Sequence, residues 1–218
     1  MKLKWLGHSA FLITADTGTR IITDPYVPGA YDNAVGYKRI GERADVVTVS
    51  HEHPDHCGSA NLPGNPQVLK GNGPWTIAGM KISGIDTFHD KSGGRERGRN
   101  TVFVYEVDNL RIVHLGDLGH ILDEATLKAL GRVDVLLIPV GGVFTIDARE
   151  AEKLTELIKP RVVIPMHYKT PRLGFQIEGV DGFLRLAPNP KRIGSSEVEI
   201  SLDSLPAGTE TWVLEPAL

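Results

Sequence analysis

HEHPDHC, residues 51–57, sets His51, His53 and His56 around Asp55 directly after the run ADVVTV, residues 44–49. On an extended backbone, residues two apart project to the same side, so His51 and His53 can reach one metal ion from the end of a strand at Val46–Ser50. Pro54 turns the chain, and Asp55 and His56 can then face a second ion nearby. A helical zinc motif is excluded, because it needs two histidines four apart on a helix, whereas position 55 is aspartate and Pro54 would break the helix. Three histidines and an aspartate within six residues are hard to explain structurally, since each would need its own partner if buried, and such clusters point to metal.

Working outward, the N-terminal half alternates short apolar runs with turn residues, the pattern of strands. Strands are expected at Lys2–Trp5, Ala10–Ala15, Arg20–Thr23, Val46–Ser50, Gln67–Lys70, Lys81–Phe88, Thr101–Val107 and Leu110–His114, with Asp108-Asn109 as a hairpin turn. A helix follows at Leu122–Leu130, ended by Gly131. In the second half, VDVLLIPV (133–140) is a continuous apolar run, as in a strand buried on both faces. Asp147 and Glu150 form a capping-box pair for a helix reaching about Lys159, where Pro160 stops it. Arg161–Pro165 is another buried strand, Val180–Leu186 a short helix, and Glu197–Ser201 and Trp212–Leu214 late strands. With no linker and no repeat, this predicts one layered α/β domain over residues 1–218.

Composition adds bounds. The 218 residues carry a formal net charge of -3, so nothing global draws the chain to nucleic acid or an anionic membrane. The apolar run after Met1 is interrupted by Gly7, His8 and Ser9, which argues against a signal peptide, and no run approaches the roughly 20 residues of a membrane span. The single cysteine, Cys57, excludes an internal disulfide and fits a cytoplasmic protein.

Four residues do not complete a two-metal site, so further ligands are expected where strands end. His89 follows ISGIDTF, Asp117 follows RIVHLG, and His167 follows RVVIPM. With these in view the chain resembles the metallo-β-lactamase fold superfamily, whose signature is H-x-H-x-D-H followed by a His, an Asp and a His, each after its own strand. The resemblance runs from WLGHSAFLI to at least His167. GHSAFLI, TDPY, RGRNTVFVYEVDNLRIVHLGD and PMHY bring it nearest to compact hydrolases related to ascorbate-6-phosphate lactonase. It implies a four-layer αββα sandwich, one metal on His51, His53 and His89, a second on Asp55, His56 and His167, and Asp117 bridging both. It also implies a metal-dependent hydrolase in which hydroxide shared by two divalent ions, zinc first and manganese or iron as alternatives, attacks a small anionic ester, lactone or phosphoester. Asp55 is then a proton carrier as well as a ligand.

Around these residues, Asp24 in ITDPY is the best candidate to orient a ligand, beside His8 and Ser9, although a turn cap before Pro25 explains it equally. His114 alternates with Asp117 and also fits a packed strand histidine. His120 could be a general acid over the site or cap the next helix. Arg95, Arg97 and Arg99 in GGRERGRN could bind an anionic substrate or form a solvated loop, and Tyr168 and Lys169 could line the same mouth. A small-molecule substrate is the expected partner, with no membrane and no nucleic acid; oligomeric state is left open. Flavodiiron reductases typically carry a carboxylate where His53 stands and need a flavin domain. RNA-processing nucleases use the same seven ligands but carry an inserted arm or domain that 218 residues do not accommodate. A non-catalytic metal-binding module is the remaining alternative.

Overall fold

A computed structural model describes residues 1–218. Its architecture follows from two runs of strands that stack face to face. The first sheet contains β1 (Lys2–Gly7), β2 (Ala10–Thr14), β3 (Arg20–Thr23), β4 (Val46–Val49) and β5 (Gln67–Lys70). It is antiparallel from β1 to β3 and parallel from β3 to β5. Cross-strand neighbours share a face, and the row Leu3, Ile13, Ile21, Val46 is buried in the core between the sheets. The opposite row, Leu12, Ile22 and Val47, is covered by Tyr26, Val35, Tyr37 and Leu173 from connecting segments. The outer layer on this sheet is therefore mostly loop, with one short turn, α1 (Ala30–Asn33), in which Tyr31 and Asp32 are left-handed.

The second sheet combines β6 (Trp75–Ile77), β7 (Met80–Phe88), β8 (Arg99–Val107), β9 (Leu110–His114), β10 (Val135–Pro139) and β11 (Val162–Met166). Two more strands extend it beyond β11, first β14 (Glu210–Val213) and then β12 (Pro190–Arg192) at the edge, while β13 (Glu197–Glu199) joins the first sheet beside β1. The β8–β9 hairpin turns at Asp108 and Asn109, both with positive φ (50° and 62°), as the left-handed tolerance of these residues predicts. Helices α2 (Glu124–Leu130) and α3 (Ala148–Ile158) pack Leu130, Ala151 and Leu154 into the same core, so β10 and β11 are buried throughout. The expected capping box on α3 forms: the Asp147 carboxylate accepts from Arg149 and Glu150 N–H, and Glu150 accepts from Asp147 N–H. A one-turn helix, α4 (Asp181–Leu184), follows.

The result is the αββα sandwich, with the helices concentrated on the second sheet. No helix is long and apolar enough to cross a membrane. Strands Trp75–Ile77 and Pro190–Arg192 escape a reading by apolar pattern; Pro190, Lys191 and Arg192 are all exposed at a sheet edge, where burial writes no alternation. For the site, direction matters most. β9, β10 and β11 run parallel, and β7 points the same way because β8 is antiparallel to both of its neighbours. The carboxyl ends of β7, β9 and β11 consequently lie at one edge.

Candidate metal centre

The residues that follow β4, β7, β9 and β11 meet at that edge. The Asp117 carboxylate is at the centre: Oδ2 is 3.1 Å from His56 Nε2, 3.2 Å from His167 Nε2, 3.3 Å from His89 Nε2 and 3.8 Å from His51 Nε2. Asp117 is 2% exposed and Oδ1 has no hydrogen-bond partner. Its backbone is fixed by the N–H donated to Asn100 Oδ1 at 2.9 Å. The preceding Gly116 has φ 56°, and any Cβ there would fall 2.3 Å from Asn100 Oδ1, so only glycine lets the chain pass.

Around Asp117 stand groups whose ligand atoms cluster: His51, His53 and His89; Asp55, His56, His167 with His8; and, linking the two, Asp24 with His51 and His56. The buried Nε2 atoms of His51 and His56 lack partners. Orphaned nitrogens and a carboxylate oxygen converging on common points are the donor set of a metal centre, so these residues fit divalent ions, and imidazole with carboxylate suits zinc, manganese or iron.

The tautomers follow from the surrounding hydrogen bonds. His56 Nδ1 donates to Asp24 Oδ2 at 2.9 Å, leaving Nε2 for a metal. Asp24 also accepts from Ser50 N–H at 2.7 Å and Ser50 Oγ at 2.5 Å. Ser50 Oγ in turn accepts from His51 Nδ1 at 3.0 Å, so one buried carboxylate orients two of the expected ligands, His56 directly and His51 through Ser50. His8 Nε2 donates to Asp55 Oδ2 at 3.0 Å, and the His8 carbonyl accepts from His167 N–H at 3.2 Å. His8, Asp24 and His167 all have left-handed backbone (φ 52°, 38° and 48°), a conformation that costs energy and recurs at functional sites.

Charge is matched to this arrangement. Burial, helped by the charge on His56, pushes His51 down to about 3, and burial beside His89 lowers His53, so both are neutral lone-pair donors. Burial alone would raise the Asp117 carboxyl, but His167 and His56 outweigh it and hold it well below the usual range. Burial likewise opposes a charge on His56, yet the carboxylates of Asp117 and Asp55 raise it well above an ordinary imidazole. In metal-free protein at neutral pH, His56 thus keeps a proton that a metal binding at Nε2 would have to displace. Metal uptake should release about one proton per chain, measured from the buffer dependence of the binding enthalpy; uptake without release would contradict this electrostatic account.

Other expectations are redirected. His120 does not reach over the site: Nδ1 donates to Ile121 O at 2.9 Å and Nε2 accepts from Phe88 N–H at 3.3 Å, so both nitrogens are committed to backbone. Tyr168 is buried against Trp5, with ring centroids 5.3 Å apart, and does not line the mouth. Lys169 Nζ donates to Phe175 O at 2.7 Å. His114 is a packed strand histidine, donating to Ser9 O and accepting from Gly116 N–H.

Of the three arginines, Arg97 lines the cavity of about 390 Å³ that opens onto His53, Asp55, His89, Asp117 and His167. Arg99 lies in a neighbouring depression beside His51 and His53. Arg95 is exposed and donates to Ser92 O.

Arg97 is placed by a residue that carries no sequence signal. Asp90, 4% exposed, accepts N–H bonds from Ser92, Gly94, Glu96 and Arg97 at 2.8–3.0 Å. Burial would raise this carboxyl, but the four donors hold it down to about 2. Because the folded value is depressed, the hold on the loop is complete above the ordinary carboxylate range and disappears as pH falls toward that value. Asp90→Ala should make residues 91–99 readily cut by trypsin at Arg95, Arg97 or Arg99 in native protein, seen by mass spectrometry of the fragments. Wild-type resistance in the variant would show that the loop is held by something else.

Comparison with known proteins agrees with this geometry. The family model for the β-lactamase superfamily domain matches residues 2–167. A UPF0173 metal-dependent hydrolase of Thermococcus onnurineus is 34% identical over 195 residues, covering 78% of this chain and 85% of its own. Among solved structures, a proposed Zn-dependent hydrolase of the metallo-β-lactamase superfamily from Thermotoga maritima is 38% identical, with a TM-score of 0.79 over 98% of both chains. The metallo hydrolase Igni18 from Ignicoccus hospitalis is 26% identical, with a TM-score of 0.61 over 80% of this chain and 86% of its own. With the family model spanning most of its length and the ligand cluster in place at the sheet edge, this chain belongs to the β-lactamase superfamily domain family, within the metallo-β-lactamase superfamily of enzymes.

Proposed function

We propose that the protein is a hydrolase that uses two divalent metal ions to cleave a small, anionic ester, lactone or phosphoester. The observation that carries this reading is the Asp117 carboxylate shared between two ligand groups at the floor of a cavity that also holds Arg97. His51, His53 and His89 would hold one ion, Asp55, His56 and His167 the other, and Asp117 both. Zinc is the first expectation, since the Thermotoga maritima relative is described as Zn-dependent. When bound, such ions bring the pKa of a shared water toward neutrality and offset charge developing on a substrate oxygen.

The chain's own groups do the rest. His8 donates to Asp55 Oδ2 and the Tyr31 hydroxyl to Oδ1 at a longer 3.4 Å, so Oδ1 is the less tightly held oxygen and the one placed to take up and pass on a proton. Arg97 supplies a guanidinium for an anionic group. A volume of about 390 Å³ is near the low end of the roughly 300–1,000 Å³ of ligand cavities, which favours a small molecule over a polynucleotide.

The test is a screen of lactones, phosphodiesters and thioesters on protein of measured metal content. Hydrolysis of at least one class, abolished by chelation and restored by metal, is expected. Turnover that ignores chelation, or no turnover beside salt-sensitive RNA binding, would replace this reading with another.

A further inference from the structure

The cavity above the metal ligands is walled by three aromatic side chains that no ligand motif includes. Tyr31, Phe144 and Phe175 line it together with Arg97 and Glu96. Tyr31 and Phe144 are 47% and 36% exposed, although an isolated tyrosine or phenylalanine would ordinarily turn its ring inward. Phe175 joins the group: it meets Tyr31 edge-on at 5.4 Å and Phe144 edge-on at 5.9 Å, and its third edge-on neighbour is His8 at 5.8 Å. Arg97 lies over the Phe144 ring at 5.4 Å, so the single guanidinium is held at one end of the apolar wall, where its one acidic neighbour, the exposed Glu96 carboxylate, is a loose 3.7 Å away and can give way to a substrate anion.

Two of the three loops are built at conformational expense to present these rings. Tyr31, Asp32 and Asn33 are successive left-handed residues (φ 53°, 54° and 67°), a run that residues with side chains avoid. Val143, just before Phe144, has φ 63°, which is rarer still for a β-branched residue. The Tyr31 and Phe175 loops are also joined by backbone bonds, Gly36 N–H to Arg172 O at 2.8 Å and Gly174 N–H to Ala34 O at 2.6 Å. Strain maintained by surrounding hydrogen bonds and directed at an exposed apolar surface is the signature of a preorganised binding wall. Tyr31 adds a polar tip, its hydroxyl 3.4 Å from Asp55 Oδ1.

We infer that Tyr31, Phe144 and Phe175 form a clamp for one ring-sized apolar group of the substrate, while Arg97 takes a single anionic group. The inference rests on the hydrolase reading and narrows it: the substrate is a small amphiphilic monoanion, an aryl or cyclic acyl ester or lactone, and not a polyhydroxylated sugar phosphate. A polyol would leave its hydroxyls unpaired against three rings, whereas an apolar ring gains buried area and edge-to-face contacts.

Calorimetric titration of metal-loaded protein with phenylphosphonate, methylphosphonate and glucose 6-phosphate tests this, because the first two probes share the anionic head and differ only in the ring. Phenylphosphonate should bind about ten-fold or more tightly than methylphosphonate. Phe144→Ala should remove most of that preference; the side chain is partly exposed, so melting temperature should stay near wild type. Arg97→Gln should weaken both phosphonates by similar factors. Equal affinity for the two phosphonates, or tighter binding of glucose 6-phosphate, overturns the clamp even where the protein holds metal and hydrolyses esters. A ring preference lost with Phe144 sustains the clamp even in protein that turns over no ester, an outcome that would sink only the hydrolase reading.

Discussion

On the proposed two-metal reading, Asp117→Asn should cost the protein both ions together, with stoichiometry falling from the expected two to below one per chain. The carboxylate oxygen at 3.1–3.3 Å from His56, His167 and His89 belongs to neither ligand group alone. An amide there brings a neutral oxygen or an N–H pointing at lone pairs, and either is a poor substitute for an anionic donor. Hydrolysis should fall beyond the ~10–100-fold that loss of a supporting residue costs. The release of a proton on metal uptake should also shrink, because the carboxylate that does most to hold His56 protonated is that of Asp117. Elemental analysis of the purified variant decides the point: loss of one ion with the other retained would show that Asp117 is not a shared ligand.

Asp24→Asn should be the most damaging change among residues that touch no metal. Asparagine keeps the volume and is the other side chain that tolerates the left-handed backbone found here (φ 38°), so the substitution isolates the charge. Asp24 is fully buried and accepts from His56 Nδ1, Ser50 N–H and Ser50 Oγ, the last of which receives His51 Nδ1. With an amide in its place, one donor faces another donor, at about 1–3 kcal/mol for each buried group left unpaired. Both His56 and His51 lose their fixed orientation, and metal affinity should drop ~10–100-fold. Competition against a chromogenic chelator measures it; wild-type affinity in a folded variant would reduce Asp24 to a turn cap before Pro25.

How much of this was readable from residues alone depends on whether a feature leaves a periodic or clustered trace. His89, Asp117 and His167 stand out because each follows its own apolar strand, and His51, His53, Asp55 and His56 because they crowd into the loop after β4; β7, β9 and β11 deliver theirs to one edge. Tyr168 and His120 fail the same logic for a local reason: neighbours in sequence do not share a direction. The left-handed backbone at His167 (φ 48°) turns the next side chain away, and Tyr168 enters the core beside Trp5. His120 finds two backbone partners within reach and folds onto Phe88.

Asp90 and the aromatic wall are silent in the sequence for another reason. A carboxylate that collects four N–H groups of its own loop needs only one residue, so no spacing betrays it. Tyr31, Phe144 and Phe175 are lone aromatics in three loops far apart in the chain, and only the fold assembles them. The proposed ligand residues were legible because metal chemistry demands several of them close together. The wall was not, because an apolar surface can be assembled from any three loops that meet.

The account stands most directly on a count of metal ions per chain. Native mass spectrometry of the purified protein, before and after chelation, gives that number, and hydrolysis of the best ester or lactone can be followed in the same samples. Two ions per chain are expected, with hydrolysis lost when they are removed and regained when they return. A chain that hydrolyses at full rate with one ion or none would contradict it.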